Sequence, residues 1–169
     1  MKISAKGLGI WLSLLAATAG TAADLRLVEA AKSGDQQAAR SLLKQHVDVN
    51  ASQTDGATAL SWAAYRDDME MADLLIAAAA SVNTPNDYGA TPLTLACVNR
   101  SAGMVDKLLK AGANPNAAAW SGETALMQCA STGTVEAVKS LLDHGAEVNA
   151  KDNRQGDTAL MWVTTYLTK

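Results

Sequence analysis

The residues from Gly89 to Gly122 carry the pattern from which the rest of the chain is read. Thr91 precedes Pro92 and Leu93, with Ala96 and Cys97 one turn further on. A hydroxyl able to cap, a proline suited to the first helical position and an apolar face at helical spacing predict a short helix. After a break near residues 100–103, Val105, Leu108 and Leu109 recur at helical spacing, and Gly112 stands where a left-handed residue would end a second helix. The unit returns along the chain: Thr58-Ala59-Leu60, Thr91-Pro92-Leu93, Thr124-Ala125-Leu126 and Thr158-Ala159-Leu160 follow at steps of 33, 33 and 34 residues. The closing pairs Val49-Asn50, Val82-Asn83, Pro115-Asn116 and Val148-Asn149 keep a step of 33 throughout. Polar segments rich in Asn, Asp, Ser and Gly separate the units and read as turns.

Period and motif together resemble the ankyrin repeat over roughly residues 24–163. The resemblance implies an all-α ankyrin-repeat solenoid of helix-turn-helix units, with the polar segments forming β-hairpin-like fingers on one side. Repeats then fall at about 24–50, 54–83, 87–116 and 120–149, followed by a truncated fifth at 154–169. The position after the opening Leu is often a His in this family, tying neighbouring turns by a hydrogen bond. Here it is Ser61, Thr94, Met127 and Met161, so that tie is expected to fail towards the carboxyl end.

The first repeat lacks the Thr-x-Leu opening and reads as an amino-terminal cap, with Arg26, Glu29, Lys32 and Gln37 expected on a solvated face. Asp67, Asp68 and Glu70 are expected to cap the second helix of repeat two through its dipole. The fifth repeat departs from the pattern after Trp162. Either its tail caps repeat four with one helix or the chain is a truncated form of a longer array. The second reading is favoured, since one helix covers only part of the face left by Leu126, Val138 and Leu142.

Residues 1–23 differ in composition: Lys2 and Lys6, then a nearly uncharged run from Leu8 to Ala19, then Gly20-Thr21-Ala22-Ala23. This is the pattern of a secretory signal peptide, with cleavage expected after Ala23 and Ala22 or Ala19 as alternatives. The apolar run is shorter than the ~20 residues of a spanning helix. The reading is therefore an exported protein, periplasmic or secreted, with no membrane attachment once the leader is removed. Loss of the two lysines takes the formal charge from −3 to −5, which disfavours nucleic acid and anionic membrane surfaces as partners.

Candidate chemistry is sparse. His46 and His144 lie about three repeats apart and cannot share a metal, and no phosphate loop, ligand cluster or nucleophile with a base is present in the sequence. The expectation is no enzyme, no cofactor and no metal site. Cys97 and Cys129 occupy small-residue positions in the first helices of adjacent repeats. Export permits a disulfide, but a bridge needs Cα atoms within about 7 Å, and helices pack at nearer 10 Å. Both are therefore expected as free, buried small residues.

Four side chains have no evident use in a core: Tyr65 and Arg66, at a place that by resemblance faces the concave groove, and Tyr88 and Trp120, near two finger tips. Aromatics and arginine dominate interface energies. The reading is a monomeric binding module that holds another protein on these residues. The alternative is an accessory or inhibitory subunit, stable only when a partner or further repeats cover its carboxyl-terminal face.

Overall fold

A computed structural model describes residues 24–167. The expected signal peptide, residues 1–23, lies outside the described residues. The helices are α1 (Arg26–Ser33), α2 (Gln36–Lys44), α3 (Ala59–Arg66), α4 (Met69–Ala77), α5 (Pro92–Val98), α6 (Ala102–Lys110), α7 (Ala125–Thr132), α8 (Val135–Asp143) and α9 (Ala159–Leu167). Each of the first four repeats pairs two of them, and the odd-numbered helices stack into one row, α1 on α3, α3 on α5, α5 on α7 and α7 on α9. This is the all-α repeat solenoid expected. Among the described residues, β pairing is confined to isolated antiparallel bridges, Ser52 with Thr58 and Ala118 with Thr124, at the bases of two fingers.

Local chemistry sets the helix ends. Thr58, Thr91 and Thr124 sit in extended backbone before α3, α5 and α7, and their hydroxyls accept from the N–H groups of Ser61, Thr94 and Met127. Left-handed residues then recur in phase. Gly34, Asp67, Arg100 and Gly133 turn the chain between the two helices of a repeat, and His46, Ala79, Gly112 and Gly145 follow the second helix. Four of these eight carry a side chain in a conformation that favours glycine, at a cost of about 1–2 kcal/mol each.

The core is a continuous seam of Ala, Leu and Met, including Ala31, Ala63, Ala64, Ala96, Leu108 and Leu141, all fully buried. The face offered to α9 differs from the expectation in one residue: Leu141 is buried, whereas Leu142 is 42% exposed. Small residues let the odd-numbered helices approach closely, and this decides the state of the cysteines. Cys97 and Cys129 form a disulfide with Cα atoms 4.7 Å apart. The expectation of free thiols fails because axis separation is not backbone separation. Two axes about 9 Å apart, each with Cα atoms at a radius of about 2.3 Å, bring facing Cα atoms to about 4–5 Å.

The ties between repeats also differ from expectation. Ser61 Oγ lies 3.1 Å from the hydroxyl of its own cap Thr58, Thr94 Oγ1 donates to Thr91 O at 2.8 Å, and the Met127 sulfur lies 3.5 Å from Thr124 N. These side chains are drawn into their own helix starts, where a partner is three residues away. Asparagines link the repeats instead. Asn50, Asn83 and Asn116 accept through Oδ1 from the N–H groups of Ser81, Asn114 and Glu147, each at 2.8 Å, so the tie does not fade towards the carboxyl end.

The acidic triplet of repeat two does more than cap α4. Asp68 caps it, accepting from Met71 N, and also accepts from Gln36 Nε2 of repeat one. Asp67 ends α3 in the left-handed conformation and accepts from Ser101 Oγ of repeat three, while Glu70 pairs with Arg40 at 2.6 Å. Two of the polar residues in repeat one, Glu29 and Lys32, stay exposed as expected and also reach across to repeat two. Glu29 accepts from Gln53 Nε2 at 3.1 Å, and the Lys32 ammonium lies 5.2 Å from the centre of the Trp62 ring.

Candidate functional site

The fingers stack because each comes close to the backbone of the next. Asp87 N donates to Asp55 O at 2.9 Å, and Asn153 N donates to Ser121 O at 2.8 Å. Glycine is required at the contact between the second and third fingers: Gly89 has φ +78°, and a Cβ there would fall 2.4 Å from Trp120 Cδ1 and 2.8 Å from Trp120 N. The indole of Trp120 therefore lies against the second finger and stays 79% exposed, and Tyr88 beside it is 75% exposed.

Tyr88 and Trp120 line one groove of about 390 Å³ with Asp87, Ser121, Glu123 and Arg154. Arg154 is held on one wall by Glu123, at 2.8 Å, and Glu123 also accepts from Gln128 Nε2 at 3.0 Å. The groove thus carries two broad aromatic faces and a neutralised ion pair.

Tyr65 belongs to a second, smaller slot of about 230 Å³ on the other side of the second finger, lined by Asp55, Ala57, Ser61, Trp62, Asn86 and Leu95 as well. Trp62 and Tyr65, three residues apart, share a helix face. Their rings meet edge to face with centroids 6.0 Å apart, and Trp62 Nε1 donates to Gln53 Oε1 at 3.0 Å. Tyr65 reaches the finger from the far end of α3 because helical side chains lean back towards the amino terminus.

Arg66 parts company with the other three. It is exposed, and its guanidinium lies beside Gly34 in the turn between α1 and α2, away from both finger grooves. Consecutive helical residues do not share a face, so Tyr65 and Arg66 diverge. Sequence reasoning left Trp62 and Asp55 out of the surface, although the three-residue spacing of Trp62 and Tyr65 was the signal for the first of them.

A polar knot organises the last finger. Asp152, almost fully buried, accepts from the N–H groups of Arg154, Gln155, Gly156 and Asp157 and, through Oδ2, from Trp162 Nε1 at 2.9 Å. The backbone N–H of Gln155 and then the Trp162 indole hold its carboxyl down at about 2. A hollow of about 760 Å³ is the notch between α1 and α2 on the first repeat, with Leu25, Ala30 and Leu42 on its walls. It shares no residue with the finger grooves.

Among the described residues, no group of three or more His, Cys, Asp or Glu could hold a metal ion, and no helix is long and apolar enough to cross a membrane. Stacked helix pairs joined by turns, with finger loops between them, define a repeat protein of the solenoid kind. The family model for ankyrin repeats (3 copies) matches residues 27–119 and 103–166, and the chain belongs to that family. Ankyrin repeats are generally protein–protein interaction modules, and the family is typically non-catalytic. No curated protein matches the chain.

Proposed function

We propose that this chain is an exported, monomeric, non-catalytic binding module that holds another protein on its finger tips and on the adjoining face of the odd-numbered helices. The observation that carries the reading is the pair Tyr88 and Trp120, three-quarters and nearly four-fifths exposed, on the walls of a single groove. Large aromatics gain most when a partner desolvates them, and neither ring has a use in the repeat core. Export is supported by the leader-like pattern of residues 1–23 and by the Cys97–Cys129 disulfide, a bond that persists in oxidising compartments.

Affinity capture from the exporting compartment tests the binding reading. Trp120→Ala should weaken a native partner by about 2 kcal/mol or more with the unfolding transition nearly unchanged. Tight binding by the variant lacking Tyr65, Arg66, Tyr88 and Trp120 would move the interface elsewhere. Amino-terminal sequencing of the exported protein tests the leader, with Asp24 the expected first residue and an intact Met1 the contrary result.

One observation favours the accessory-subunit reading as a second possibility. On α9, Leu160 and Met161 are 72% and 50% exposed, an apolar face that a partner would cover. The two readings separate on a size measurement of the purified chain, which is a soluble monomer under the first and an associating or aggregating species under the second.

A further inference from the structure

The slot at Tyr65 has a chemistry of its own. Its walls are the Trp62 and Tyr65 rings, Leu95 and Ala57, and its one charged lining residue is Asp55. Asp55 Oδ1 accepts from Ala57 N at 3.1 Å, which fixes the carboxylate at the mouth and leaves its other oxygen open. Trp62 and Asp55 also form a wall of the neighbouring hollow, where Lys32 lies. There the Lys32 ammonium sits 5.2 Å from the centre of the Trp62 ring, so the molecule already places a cation against this indole from one side.

We propose that the slot receives the side chain of a lysine or arginine presented by the partner protein, its aliphatic stem against Leu95 and the rings and its charge at Asp55. This rests on the binding-module reading above and names what the partner must offer. Charge complementarity selects the occupant. A carboxylate would meet Asp55 at the mouth, and a neutral apolar side chain would desolvate that carboxylate without pairing it. A second open carboxylate lies close by, because Asp87 is joined to Asp55 through the backbone bond between the fingers. A segment with basic residues therefore finds like-signed sites on both sides of the second finger, consistent with the net negative charge of the chain.

The test uses the full chain labelled for NMR and a short acetylated peptide in which arginine alternates with glycine, against the same peptide with citrulline, the neutral isostere. The arginine peptide should move the Trp62 indole N–H and the amides of Asp55 and Tyr65, and the citrulline peptide should not. Asp55→Asn, which keeps the acceptor for Ala57 N, and Tyr65→Ala should each weaken binding by about tenfold at low salt, whereas Val135→Ser on α8 should leave it unchanged. Equal binding of the citrulline peptide, shifts confined to the third and fourth fingers, or no shifts at millimolar peptide would overturn the proposal. Capture of a native partner that depends on Tyr88 and Trp120 but is indifferent to Asp55→Asn would overturn the slot while leaving the binding module standing.

Discussion

Two neighbouring junctions in this array, built on the same repeat, are held by different physics. Between α5 and α7 the seam is apolar and covalent: Cys97 and Cys129 are fully buried and joined, with Met104 and Leu108 buried in the same core. Between α7 and α9 only part of the helix is covered. Ala159 and Trp162 are buried, Leu160 and Met161 face outward, and Asp152 fastens the preceding finger to Trp162. Inside the array a helix has neighbours on both sides, so small residues and close backbones suffice. At α9 Leu160 and Met161 stay exposed, and a buried carboxylate with five donors fastens the finger before it to Trp162.

The comparison can be broken most sharply in the interior. Leu108→Ala should cost about 2–5 kcal/mol in chemical denaturation, since it empties a fully buried site. Replacing both cysteines by alanine, or reducing the disulfide in the unfolded state, should cost about 2–4 kcal/mol, the loop spanning 32 residues. An unchanged denaturation midpoint would mean that packing alone holds that junction.

The terminal junction should respond to acid. The Asp152 carboxyl has its folded value depressed to about 2, below the ordinary ~3.9 of an aspartate. Its contribution is therefore fully present above about pH 4 and lost as pH falls through about 2. Asp152→Asn should flatten that acid limb and quench the difference in Trp162 environment between pH 5 and pH 2, whereas the cysteine variants should retain both. A smaller gain is expected at Ala79→Gly, about 1 kcal/mol, by relief of a left-handed alanine with φ 63°.

Surface positions set the lower end of the scale. Lys107→Met removes a salt bridge to Asp73 and should change stability by at most about 1 kcal/mol, although the lysine is only 22% exposed and so is less of a free surface residue than its sequence suggests. Trp120→Ala should stay within about 0.5 kcal/mol. A larger loss there would assign the indole to finger stacking, where it lies against Gly89, rather than to recognition.

The sequence by itself determined the period, the two helices of each unit, the capping threonines and the family, because these follow from residue types a few positions apart. A hydroxyl before a helix and leucines at helical spacing mean the same thing in every copy. Tertiary structure alone decided what crosses from one copy to the next. It joined Cys97 to Cys129, turned Ser61 and Thr94 inward and left the linking to asparagines, gathered five donors on Asp152, and separated Arg66 from Tyr65. Those outcomes depend on how near two backbones come. That distance is set by small residues packing across the stack, on a scale of one or two ångströms that helical periodicity does not encode.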